Sequence, residues 1–89
     1  MSYRFAFTQR AGRRLSKLPR TVARSIAEKV RWLAAHAEEV CHEKMKGHEE
    51  YSLHVGQYRI LYIIDHENRC IFIEDVGKHD EAYRRLREQ

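Results

Sequence analysis

Residues 3–8, YRFAFT, set Tyr3, Phe5 and Phe7 against Arg4, Ala6 and Thr8, and this aromatic-rich period of two predicts a first strand. The period then lengthens. Thr8 can cap a helix through residues 9–18, with Ala11, Leu15 and Leu18 on one face and Gly12 weakening it somewhat. Pro19 ends that helix and suits the first turn of a second one, at about 19–36. There Val22, Ile26, Val30 and Leu33 fall at intervals of four, four and three, the stripe of an amphipathic helix, with Trp32 at its rim. So short a break predicts a helical hairpin. Residues 37–50 read as a polar connecting loop with a turn at Gly47.

Three strand-like runs follow, at 51–55, 58–65 and about 70–76, with HENR (66–69) turning between the last two. Gly56-Gln57 fits a type II′ turn, which requires glycine first. In that register Val55 faces Tyr58, His54 faces Arg59, Leu53 faces Ile60 and Tyr51 faces Tyr62. Tyr51, Leu53, Val55, Tyr58, Ile60, Tyr62 and Ile64 then share a side apolar enough to carry the helices. Ser52, His54, Arg59, Leu61 and Ile63 take the other side. Residues 79–87 predict a short terminal helix, with Asp80–Arg84 and Glu81–Arg85 pairs at i,i+4. The expected architecture is a single α+β domain over 1–89: an N-terminal strand and a helical hairpin on one face of a mostly antiparallel four-stranded sheet, then the C-terminal helix.

Composition adds limits. With 89 residues, 43% hydrophobic and 34% charged, the chain holds one core and buries roughly 60–65% of its unfolded surface. The net charge of +4 is unevenly spread. Up to Ala35 the basic residues are Arg4, Arg10, Arg13, Arg14, Lys17, Arg20, Arg24, Lys29 and Arg31, opposed only by Glu28. Such a field draws polyanions, nucleic acid above all, and would equally suit an acidic protein. Cys41 and Cys70 form neither a disulfide framework nor a zinc motif. The longest apolar run, ILYII, is far too short to span a membrane, and MSYRFAF has no apolar signal region, so the default location is cytoplasmic.

His54 and Arg59, opposite one another on the helix-free side, are an unusual cross-strand pair because they repel once the imidazole is protonated. An anion between them accounts for the arrangement; so does simple projection into water near a hairpin end. His79 and Tyr83, four apart on the terminal helix, follow the last strand and can fold over the end of the sheet that holds Arg59. The four groups together form a metal-free set suited to RNA cleavage. A base takes the 2′-OH proton, a cation stabilises the phosphorane, and an acid protonates the leaving 5′-oxygen. Histidine can fill either proton-transfer role.

The stretch KMKGHEEYSLHVGQYRILYIID, followed by VGKHDEAYRR, resembles the RelE branch of the RelE/ParE toxin superfamily. Its members share a pattern of the form L-x-G…Y-x-x-x-x-G-x-Y-R-[VIL]-x-Y and, one strand later, V-G-[HK]-R-x-x-x-Y. TQRAGRRLSKLP and the helix after it also resemble the family's N-terminal half, so the likeness covers nearly the whole chain. It implies a bacterial or archaeal toxin with a microbial-ribonuclease-like fold. RelE-type members cut mRNA in the ribosomal A site, leaving a 2′,3′-cyclic phosphate and a 5′-OH without metal or cofactor. A cognate RelB-like antitoxin wraps and blocks such toxins; ParE-type members share the fold and inhibit DNA gyrase.

By this likeness Arg59 is the phosphate-contacting cation and Tyr83 the residue that orients or stacks the substrate. His79 stands where the commonest pattern has a second arginine, and Ser52 and His54 stand where the best-known subgroup has two lysines. The implied roles are His54 as base, Arg59 as phosphate clamp, His79 as acid and Tyr83 as orienter, the two histidines being interchangeable. Lys44, Lys46, Ser52, Lys78, Arg13 and Arg14 complete an expected RNA-binding set. The expected partners are a RelB-like antitoxin, the ribosome and mRNA, with no metal, cofactor or membrane. A ParE-like gyrase inhibitor and an inactive antitoxin-binding paralogue are the alternatives.

Overall fold

Two helices cover one face of a five-stranded sheet in the computed structural model of the chain, which describes residues 2–45 and 47–78. The elements are β1 (Arg4–Phe7), α1 (Gln9–Ser16), α2 (Arg20–Ala35), β2 (Glu43–Lys44), β3 (Tyr51–Val55), β4 (Tyr58–Asp65) and β5 (Cys70–Lys78). Across the sheet the order is β1-β5-β4-β3-β2, with β1 parallel to β5 and every other pair antiparallel. The α+β architecture and the helical hairpin match expectation. The expected terminal helix lies outside the described residues.

The sheet has five strands where four were expected. The additional one, β2, pairs Glu43 with Ser52 and Lys44 with Tyr51. Two charged residues on an edge show no alternation, so nothing in their pattern sets them apart from a loop. Both helices are slightly shorter than expected. Pro19 precedes α2 as its cap instead of opening its first turn.

The amphipathic patterns meet as read. Ile26, Val30 and Leu33 of α2 and Ala11 of α1 have no exposed surface, and they close over Ile60, Tyr62, Ile71, Ile73 and Val76. Tyr51, Leu53, Val55, Tyr58 and Ile64 pack around that cluster. Each fully buried aliphatic side chain contributes about 1.5–3 kcal/mol. Trp32 stays 40% exposed at the rim, with the Lys29 ammonium 4.2 Å from its ring centroid and His36 stacked against it. Among the described residues, no helix is long and apolar enough to cross a membrane.

One irregularity decides which way β5 faces. Leu61 pairs with Asp75 but Tyr62 pairs with Ile73, so Glu74 is an extra residue and forms a bulge. Ile71 and Ile73 point into the core, and strict alternation would send Asp75 after them. The bulge shifts the phase, so Val76 enters the core and Asp75 joins the side of Arg59. Thr8 holds this bulge from the start of α1. Its N–H donates to the Ile73 carbonyl at 2.9 Å and its hydroxyl to the Glu74 carbonyl at 3.2 Å. The same hydroxyl accepts from the Ala11 N–H at 3.1 Å, the expected helix cap.

A second polar anchor lies in the core. The Tyr62 hydroxyl meets His42 Nδ1 at 2.7 Å, while His42 Nε2 lies 2.8 Å from the Ala37 carbonyl. A carbonyl only accepts, so Nε2 carries the proton and the tyrosine donates to Nδ1. Burial pushes the Tyr62 phenol well above the ordinary tyrosine range, and the neighbouring Tyr51 adds to the effect.

Candidate functional site

The candidate site is built on the side of β3 and β4 that neither α1 nor α2 covers. Their register is the one read from the turn: Tyr51 with Tyr62, Ser52 with Leu61, Leu53 with Ile60, His54 with Arg59 and Val55 with Tyr58. Gly56 has φ +60° while Gln57 does not turn positive, the signature of a type II′ turn. The turn thus holds an imidazole and a guanidinium on adjacent strands. Opposite residues of such a pair have Cβ atoms about 4.5–5.5 Å apart.

Arg59 and His54 differ in exposure. Arg59 is only 7% exposed, and its Nη1 donates to the hydroxyl of Ser52, which is also buried. A buried charge is costly unless polar partners replace its hydration, and the Ser52 hydroxyl supplies part of that replacement. Projection into water is therefore not the state of Arg59. His54, by contrast, is exposed. The serine at position 52 has a stated use in this geometry: it fixes the guanidinium.

Across β4, Arg59 is in register with Gly77, and Asp75 lies two residues further along the same side of β5. Asp75 is 2% exposed. Its Oδ1 accepts from the Val76 N–H at 2.9 Å and lies 3.3 Å from Arg14 Nε. Arg14, expected to bind RNA, is thus engaged with a buried carboxylate at the edge of the site. With Gln9, Arg10, Arg13 and Lys17 it lines an open groove of about 650 Å³ along α1. Arg13 is exposed.

The other expected residues are less concentrated. Lys44 is exposed and pairs with Tyr51, which puts it on the helix-bearing side of the sheet, away from Arg59. Glu43 takes the Ser52 side, so the strand edge beside the site is acidic where a lysine was expected. Lys78 is exposed at the end of β5 opposite Tyr58, one position beyond Gly77. Lys46, His79 and Tyr83 lie outside the described residues. Among the described residues, no group of three or more His, Cys, Asp or Glu is placed to hold a metal ion.

Asp75 was missed by sequence reasoning. A signal was present: in IFIEDV the apolar spacing changes from two, between Ile71 and Ile73, to three, between Ile73 and Val76. That break is what a one-residue bulge looks like in sequence, and it marks Asp75 as turned away from the core.

Residues 5–83 match the family described as the ParE toxin of type II toxin-antitoxin system, parDE. The chain therefore belongs to this toxin family, within the RelE/ParE superfamily. Among solved structures, it is similar to the toxin–antitoxin complex RelBE2 of Mycobacterium tuberculosis, at 28% identity and a TM-score of 0.78 over 89% of this chain and 93% of that one. It is also similar to the intact E. coli RelBE complex, at 26% identity and a TM-score of 0.72 over 86% and 96%. A free E. coli RelE carrying two arginine-to-alanine substitutions superposes with a TM-score of 0.78 over 93% and 90%, at 24% identity, where the likeness speaks for the fold alone. A comparison with curated protein sequences gave no significant match.

Proposed function

We propose that this toxin is a ribosome-dependent mRNA endoribonuclease of the RelE type. It would cleave message in the A site by attack of a ribose 2′-OH on the adjacent phosphate, giving a 2′,3′-cyclic phosphate and a 5′-OH. The observation that supports this most is the buried Arg59 guanidinium, held by Ser52 opposite an exposed His54 on the side that α1 and α2 leave uncovered. A fixed cation is suited to stabilising charge that develops on a phosphorane, because it need not reorganise during the reaction. His54 would act as base and His79 as acid, or the reverse, with Tyr83 orienting the substrate. Arg13, Arg14, Lys44, Lys46 and Lys78 would contribute sequence-independent phosphate contacts, with Lys44 reaching RNA only around the sheet edge. A RelB-like antitoxin, as in the similar complexes, would neutralise the toxin.

The test is induction of the wild type and of Arg59→Ala, with primer extension on a defined message. The reading requires cuts within translated codons from the wild type, and loss of both cuts and growth arrest in the variant, with antitoxin binding retained. The family match to ParE toxins favours a second reading, inhibition of DNA gyrase. Supercoiling defects with intact message would establish that one instead.

A further inference from the structure

Beside the proposed phosphate clamp stands a residue with the wrong charge for the task. Asp75 shares the side of Arg59 and is its diagonal neighbour, since Arg59 pairs with Gly77. A carboxylate there opposes binding of a phosphate, so its presence calls for another use. Three observations converge on one. Asp75 is almost wholly buried, and its carboxylate is engaged by the Val76 N–H and by Arg14. It faces this side only because Glu74 is bulged. Both ends of α1 grip that bulge, through Thr8 on the Ile73 and Glu74 carbonyls and through Arg14 on Asp75.

We propose that Asp75 is a positioning residue of the site. Paired with Arg14, it locks the bulged segment of β5 against α1. It thereby sets where Gly77 meets β4 and where the Arg59 guanidinium stands. Asp75 touches no substrate in this role; it acts through Arg59. Arg14 is then held as a strut as well as lining the basic groove of α1. The proposal rests on the nuclease reading for its kinetic part and on the fold alone for its structural part.

The experiment compares the full-length wild type with D75N, R14Q and the double variant. D75N keeps the shape and the acceptor for the Val76 N–H while removing the charge. Two quantities are read: single-codon cleavage kinetics on programmed ribosomes, and the Arg59 Nε–H resonance and its hydrogen exchange by NMR. The melting temperature is followed as a control on folding. Positioning predicts a fall in kcat of about 10- to 100-fold in D75N and in R14Q, with KM nearly constant in D75N. It also predicts a shifted and faster-exchanging Arg59 signal in D75N and in R14Q. The double variant should lose no more than the worse single one, as for two residues acting as one unit. A rise in KM alone, with kcat and the Arg59 signal unchanged, would overturn the proposal and assign the pair to RNA binding. So would wild-type kinetics with an unmoved Arg59 signal. If the wild type cuts no message, the nuclease reading fails by itself; the NMR comparison then still decides whether Asp75 positions Arg59.

Discussion

Ile60 and Arg59 are neighbours on β4, and both are nearly closed to solvent, at 0% and 7% exposure. Ile60 points among Ile26, Val30, Leu33 and the other apolar side chains that α2 presses onto the sheet. Arg59 points the other way, to Ser52, with an exposed imidazole opposite. One side is buried because hydrocarbon gains by leaving water; the other is buried although a cation loses by it. Equal burial thus hides opposite purposes. The apolar side holds the chain together, and the polar side spends part of that stability on keeping a charge in place.

Substitutions can separate the two. Ile60→Ala should remove about 2–5 kcal/mol of stability, seen as a lower urea midpoint at unchanged slope. On the proposed nuclease reading, Arg59→Ala should instead lower message cleavage by about 10²- to 10³-fold, with a cooperative urea transition retained. If Arg59→Ala unfolds the chain as severely as Ile60→Ala does, the division between the sides is wrong. Thr8→Ala tests the clasp between them. It removes a helix cap and the hydroxyl on the Glu74 carbonyl, and should cost about 1–2 kcal/mol by thermal unfolding.

The smallest effect at neutral pH belongs to Tyr62. Its phenol ionises well above the ordinary range in the fold, while in the unfolded chain it releases its proton near pH 10. The unfolded state therefore sheds protons first. The contribution of Tyr62 is full below about pH 10 and is lost as the pH rises beyond it, by about 1.4 kcal/mol per pH unit. Tyr62→Phe should lack that share of the alkaline fall. Urea titrations of both proteins from neutral to strongly alkaline pH measure the difference.

Much of the apolar side was legible beforehand. The stripe of α2 and the glycine of the β3–β4 turn depend on local rules, the 3.6-residue period and the positive φ of a II′ turn, and the register followed. The neighbours of the polar side were only partly legible. β2 consists of two charged residues whose strand character comes wholly from pairing with Ser52 and Tyr51. The pairing of β1 with β5 joins residues more than sixty positions apart, which no local period reports. Asp75 seemed one acid among several until the bulge turned it toward Arg59 and Arg14. Of the candidate site, the His54–Arg59 juxtaposition and the side of Ser52 were visible from the turn, whereas the Ser52–Arg59 hydrogen bond and the carboxylate beside it required the three-dimensional arrangement.

The parallel pairing of β1 with β5 also bears on when this molecule can take shape. β1 lies at Arg4–Phe7, and among the described residues its sheet neighbour is β5, which begins at Cys70. Until that later segment has been synthesised, β1 lacks this edge to join, and closing so long a loop adds an entropic cost to assembly. A nascent chain cut short before β5 lacks Gly77 and Asp75 as well as the strand that joins β1 to β4. Termination before Cys70 should therefore yield a fragment without the register that sets Arg59 opposite Gly77.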